Sequence, residues 1–484
     1  MNLLSKAKLG AKWNAISMLG SAALSILQIS ILARYLQPLD FGIFALLIVI
    51  LSILSIFITV SISDVIIVKD NTTYEQLSTL YWLNAMLGIF IYILIFFSAP
   101  LLIYFNDYDQ IILLLRVIGL SVIIGALGVQ FRALMKRNLY LKELAFIDLF
   151  AHFCAFMLLV FLVLKDFGVW SLVFSTLLSQ SITLFIFIIY ATFFGWLPKF
   201  YFNIKTVIEM IHFGSHRIGS SLLHALFSRA DQLTIGVVLG PIALGYYSIA
   251  FNLAMQPFLK INPVLTQVSF PIFSRIKNDN TMLKRGYRKG VRALTFINAP
   301  LLLGMLSIAP LFIPFFLGPG WDNSIIVLQF LCIYVLFRSI TNINTGLILA
   351  KEKFRWPTYW NLFLVFLTPF TIIITAQVTN SLYFITFIVM MLEIILFIVA
   401  YFLFPRRLLG KFDYKYLSDI GRPILSASIM SLFVYILSKN MLINSQIIEL
   451  TILILFGMFV YIILSFIIQR RHLDEFLEVT KSEL

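Results

Sequence analysis

The sequence predicts an all-α polytopic membrane protein with about 14 transmembrane helices. They form two six-helix bundles related as parallel repeats, followed by two additional helices. Three observations carry this reading. The 484 residues are 61% hydrophobic and only 12% charged, too few polar groups to cover a water-soluble surface. Apolar runs of about 20 residues recur from end to end, the length a helix needs to cross the hydrocarbon. A short motif then returns 203 residues after its first appearance, in matching surroundings.

The spans are expected to start near Lys12, Phe41, Thr79, Ile111, Glu143, Gly168, Thr206, Tyr246, Arg288, Ser324, Thr358, Leu382, Tyr416 and Ile447. Those beginning near Lys12 and Thr206 are the most polar. A membrane barrel would instead alternate apolar and polar residues in segments of about 10. The basic, then apolar start resembles a signal peptide. Its apolar stretch continues to Leu32 with no small-residue cleavage site, so it is read as the first span. Cys154 and Cys332 lie far apart in separate apolar segments and suggest neither a disulfide framework nor a metal site.

Loop charge sets the orientation. Alternate segments, including both termini, hold 28 of the 36 Lys and Arg. The opposite set holds Arg34, Lys165 and Lys439, and five lie inside spans. Both termini are therefore expected in the cytoplasm. The net charge of +14 then follows from topology and calls for no nucleic acid. The run KRGYRKGVR (Lys284–Arg292) reads as a solvated, lipid-facing cytoplasmic loop.

The repeat rests on LQPLDFG (Leu36–Gly42) and LGPIALG (Leu239–Gly245), both L-x-P-x-x-x-G. The helices before them keep the offset. Asn14, Ser17, Ser21, Ser25 and Gln28 match Arg217, Ser220, His224, Ser228 and Asp231, and each set lies on one helical face. A second pair, RALMKRNLYLKE (Arg132–Glu143) and ILAKEKFRWPT (Ile348–Thr358), follows a fourth span in each copy. Its offset has grown by about a dozen residues, assigned here to the Arg275–Arg292 loop. An even number of spans separates the copies, so both have the same orientation. The expected divisions are residues 1–200, 201–410 and 411–484.

Ionised side chains at mid-bilayer are expensive if they face lipid, so those here should line a cavity or face one another. Candidate substrate-binding residues are Arg217, Lys260, His224, Arg338, Arg116, Gln256, Asn14 and Gln28. Their cationic bias suits an anionic head group, a phosphate above all, which Arg grips bidentately. Candidate ion-coupling groups are Asp231, Asp64, Asp148 and Glu393. Plainer roles stay open: Arg229 and Asp231 neutralise one another, Arg116 snorkels outward, and His152, His212, His216 and His224 are packing rather than proton carriers.

ARYLQPLDFGIFAL (Ala33–Leu46), SRADQLTIGVVLGPIALGYYSIAFNLAMQPF (Ser228–Phe258) and FPIFSRIKND (Phe270–Asp279) resemble the polysaccharide transporters of the MATE-like (MOP) flippase superfamily. With FRALMKRNLYLKELAFIDL (Phe131–Leu149), the resemblance is to Wzx-type exporters of the colanic-acid kind, over essentially the whole chain. It implies two bundles arranged as a V in a bacterial inner membrane. It also implies translocation of undecaprenyl-pyrophosphate-linked oligosaccharide by alternating access, without an enzymatic step. Arg217 and Lys260 would belong to the cationic cavity. Membrane lipids and polysaccharide polymerase machinery are the implied partners. No cofactor is expected beyond an H⁺ or Na⁺ gradient. A drug or metabolite antiporter of the same superfamily would carry a more acidic cavity. A membrane polymerase or glycosyltransferase would need longer outer loops than GPIALG (Gly240–Gly245) or GPGWDN (Gly318–Asn323), and no catalytic motif is present.

Overall fold

The computed structural model describes residues 13, 20–21, 23–58, 66, 72–104, 110–410, 413–441 and 445–469; the side chains of 102–104, 209, 211–218, 220 and 267–268 are outside this description. The described residues form helices and connecting turns, with no strand among them.

The long helices are α1 (Ala23–Tyr35), α2 (Pro38–Leu54), α3 (Tyr74–Ser98), α4 (Gln110–Arg137), α5 (Leu141–Val163), α6 (Trp170–Phe194), α7 (Ile208–Val238) and α8 (Pro241–Arg275). They continue as α9 (Asn280–Leu317), α10 (Asn323–Thr341), the short α11 (Ile343–Ala350), α12 (Arg355–Val378) and α13 (Leu382–Leu403). The one-turn α14 (Pro405–Leu409) precedes α15 (Tyr414–Asn440) and α16 (Gln446–Ile468). Every expected span has its helix, and among the described residues 11 stretches are long and apolar enough to cross a membrane. The exceptions are α1, of which 13 residues are described, and α7 and α8, which carry the polar residues.

The repeat is visible in the packing. In the first copy α3 packs on α4 and α4 on α6; in the second α9 packs on α10 and α10 on α13. The turn after the fourth helix is the same in both. Leu139 and Glu352 adopt left-handed φ of 58° and 60°. Tyr140 and Lys353 then donate their N–H groups back to Met135 and Ile348, closing matched Schellman turns 213 residues apart. Each turn is also tied to the segment just before the third helix of its copy, by Arg137 to Thr72 Oγ1 (2.7 Å) before α3 and by Lys351 to Lys277 O (2.6 Å) before α9.

One expectation is corrected. The Lys284–Arg292 run is not a loop: it forms the first turns of α9. Asp279 starts the helix by accepting from the N–H groups of Thr281 (2.8 Å) and Met282 (3.0 Å). The residues that enlarge the repeat offset therefore lengthen a helix, making α9 38 residues against 25 for α3. Lys284, Arg288 and Arg292 are held by Asp419 on α15 and by Asp413, its N-cap. Asp419, 1% exposed, accepts from Arg288 Nε (2.5 Å) and Arg292 Nη2 (2.7 Å), and Asp413 lies 3.4 Å from Arg288. Tyr461 on α16 also donates to Phe296 O (2.9 Å), so both terminal helices are bonded to α9.

Two compact units emerge. One is Met1–Gly245 with Asn361–Pro369; the other is Tyr246–Trp360 with Phe370–Leu484. The first unit ends 45 residues beyond the repeat division near 200, because α7, the first helix of the second copy, packs on α2.

In the first unit, the segment joining the two copies is strapped to α3. Ser78 Oγ accepts from Lys199 N (3.1 Å), and Trp82 Nε1 donates to Lys199 O (2.9 Å). Thr79 Oγ1 accepts from Asn203 N (3.2 Å), and Gln76 donates to Thr206 O (3.1 Å). Phe200 stacks on Trp82 at 5.1 Å between centroids. This strap fixes where α7 begins.

Candidate functional site

Two of the expected cationic residues share one level of the second unit. Asn262 on α8, 1% exposed, donates from Nδ2 to Ser339 O on α10 (2.9 Å). Asn298 on α9, fully buried, donates to Asn262 Oδ1 (3.1 Å). This buried junction ties three helices together. Buried amides are tolerated between membrane helices because they pair with one another. Lys260 stands two residues before Asn262, and Arg338 one residue before Ser339. The junction therefore sets the backbone positions of Lys260 and Arg338 at a similar depth of the second unit. At 1.5 Å per residue, Lys260 is about 28 Å along α8 and Arg338 about 22 Å along α10. Both lie past the midpoint, toward the end carrying the basic turns.

The Arg338 guanidinium is steered by its own helix. It donates to the hydroxyl of Tyr334, one turn earlier, and lies 5.5 Å from that ring's centroid. Gln256 precedes Lys260 by four residues, so the two share a face of α8, and both are half-buried. Such a set can grip a phosphoryl group bidentately through Arg and add a point charge through Lys.

The first unit holds further candidates. On α7, Asp231 is 3% exposed and its Oδ1 accepts the N–H of Gln232 (2.8 Å). Gln232 Oε1 accepts from Arg229 Nη1 (3.2 Å). His224, one face with Asp231, is exposed, and Gln28 on α1 is half-buried. The serines of the matching stripes bond their own helices: Ser25 to Ser21 O (2.7 Å) and Ser228 to Ala225 O (3.0 Å).

Two candidates sit away from these groups within their bundles. Arg116 reaches α3, where its Nε donates to Phe96 O (3.3 Å) and its guanidinium lies 4.2 Å from the Phe96 ring. Asp148 on α5 accepts a two-pronged pair from Arg132 on α4 (3.0 and 2.5 Å). His152 Nδ1 lies 2.7 Å from Asp148 O. Glu393 on α13 is 8% exposed. Asn14, Asp64 and the side chain of Arg217 lie outside the described residues. Among the described residues, no group of three or more His, Cys, Asp or Glu is placed to hold a metal ion.

Comparison with known proteins assigns the chain. A family described as "Polysaccharide biosynthesis protein" matches residues 31–326. The chain belongs to this family. It is 29% identical to the lipopolysaccharide biosynthesis protein WzxC of Escherichia coli (strain K12) over 87% of this chain and 86% of that one. It is 26% identical to the teichuronic acid biosynthesis protein TuaB of Bacillus subtilis (strain 168), covering 88% of each. The fold is shared with flippases and transporters of known structure. The lipid II flippase MurJ superposes with a TM-score of 0.76 over 95% of this chain and 99% of that one, at 16% identity. A multidrug resistance MATE transporter in an inward-facing conformation gives 0.62 over 81% and 98%, at 14% identity.

The sequence reading missed the residues that build the site's level: Asn262, Asn298, Ser339 and Tyr334. A signal was there. Asn262 stands beside Lys260, and Asn298 interrupts TFINAPLLL, where an uncharged polar group inside an apolar span asks for a partner.

Proposed function

We propose that this membrane protein translocates polyprenyl-pyrophosphate-linked oligosaccharide repeat units across a bacterial inner membrane by alternating access, both termini facing the cytoplasm. The carrying observation is the pairing in depth of Lys260 and Arg338 through the Asn262–Ser339 bond (2.9 Å). Two cationic side chains borne at one level of a membrane bundle suit an anionic head group and oppose the cationic drugs that a multidrug antiporter moves. Pyrophosphate engages Lys260 and Arg338, while Gln256, on the same face of α8 as Lys260, bonds sugar hydroxyls. The lipid tail remains in the bilayer. Outward movement of a negative head group from a negative-inside cell is favoured by about 2.3 kcal/mol per charge per 100 mV. Proton or Na⁺ entry at Asp231 or Glu393 adds to that drive.

The test is deletion of the gene in its host and complementation. The deletion strain accumulates lipid-linked oligosaccharide and loses surface polysaccharide. The wild type restores export, whereas Lys260→Ala with Arg338→Ala does not. Full export by that double variant contradicts the assignment of the anion site.

A further inference from the structure

The two copies of L-x-P-x-x-x-G are in direct contact, and the contact is reciprocal. A Cβ added to Gly42 would stand 1.7 Å from Pro241 O, and one added to Gly245 would stand 1.8 Å from Pro38 O. Each glycine thus touches the proline of the other copy, and the four residues obey the same 203-residue offset as the repeat. Neither glycine has a left-handed φ, so it is closeness, not backbone freedom, that requires glycine here. The first turns of α2 and α8 cross backbone to backbone with no side chain between them. Beneath the crossing, Gly236 on α7 faces Leu244 on α8 and Leu46 on α2, at 2.9 and 3.3 Å from an added Cβ. Leu46 is 2% exposed and lies one turn below Gly42 on the same face.

We propose that this Pro–Gly crossing is a releasable clasp closing the membrane end opposite the basic turns, and that substrate exit requires it to open. The substrate part of this proposal rests on the function proposed above; the clasp itself does not. The contact consists of carbonyl oxygens against Cα–H groups and van der Waals packing of small residues, a weak bond type that can be broken and remade. Because each repeat contributes the same half, the clasp is symmetric. Filling either glycine blocks closure equally.

The test uses the full chain in right-side-out membrane vesicles, with Cys154→Ala, Cys332→Ala and Leu46→Cys. Labelling is by a membrane-impermeant maleimide from the outside. Gly42→Ala and Gly245→Ala each raise the labelling rate at Leu46→Cys by about tenfold, as a shifted opening equilibrium requires. Gly125→Ala, where an added Cβ meets nothing within 4 Å, leaves it unchanged. Unchanged labelling in both folded variants overturns the clasp. If the alanine variants do not accumulate, labelling of Leu46→Cys alone is compared in hosts with and without lipid-linked oligosaccharide. A faster rate with substrate supports the clasp, and equal rates overturn it. Labelling that rises in Gly42→Ala while precursor export stays normal removes the substrate reading and leaves the clasp. Blocked export with unchanged labelling does the reverse.

Discussion

Asp419 is the carboxylate whose loss should matter most to stability. It sits 1% exposed between Arg288 and Arg292, and removing it leaves two cations facing a low-dielectric gap. Breaking such a buried arrangement costs about 3–5 kcal/mol, so Asp419→Asn should markedly lower the unfolding midpoint in detergent. The exposed pair of Lys277 and Glu352 (2.5 Å) is the contrast. Lys277 holds the Glu352 carboxyl below its ordinary value. A lowered carboxyl adds stability above its unfolded value near 4.3 and loses it as pH falls through the folded value. Glu352→Gln should therefore show any deficit against the parent midpoint in full at pH 6 to 8, and the gap should shrink only as pH falls below the unfolded value near 4.3. A midpoint gap that widens on acidification would contradict this sign. The charges themselves were legible in the sequence; their partners were not. Asp413 and Asp419 lie more than 120 residues from Arg288 and Arg292, and no local spacing links them.

At the scale of elements, periodicity and turn chemistry explain most of what was legible. The spans followed from apolar length, and the repeat from one motif and a polar stripe. What could not be read was where a basic run ends a loop or starts a helix. KRGYRKGVR looks solvated until Asp279 caps it and α15 neutralises it. The strap from Leu197 to Thr206 was equally hidden, because its bonds run to α3 more than 115 residues earlier. Trp82→Ala removes both the bond to Lys199 O and the stack under Phe200. Cleavage within residues 197–206 by a limiting protease should accelerate several-fold, since local opening governs such sites. Trp82→Phe keeps the stack, so it should fall between the two.

For the whole molecule, α15 and α16 are part of the second unit, not a loose addition. Truncation after residue 410 would strip Asp413, Asp419 and Tyr461 from α9. The shortened chain should fail to accumulate in membranes, checked by quantitative immunoblotting; accumulation at the full-length level would contradict this. The membrane architecture and the cationic bias were written in composition. The shared level of Lys260 and Arg338 was not, because three separate helices must pack before Asn262, Asn298 and Ser339 meet. The most direct test of the central claim follows the precursor itself. Lipid-linked oligosaccharide is quantified, by leaflet, in a deletion strain carrying the wild type or Lys260→Ala with Arg338→Ala. The account predicts outward-facing precursor with the wild type and cytoplasmic accumulation with the double variant at equal protein level. Equal outward-facing precursor in both strains would contradict it.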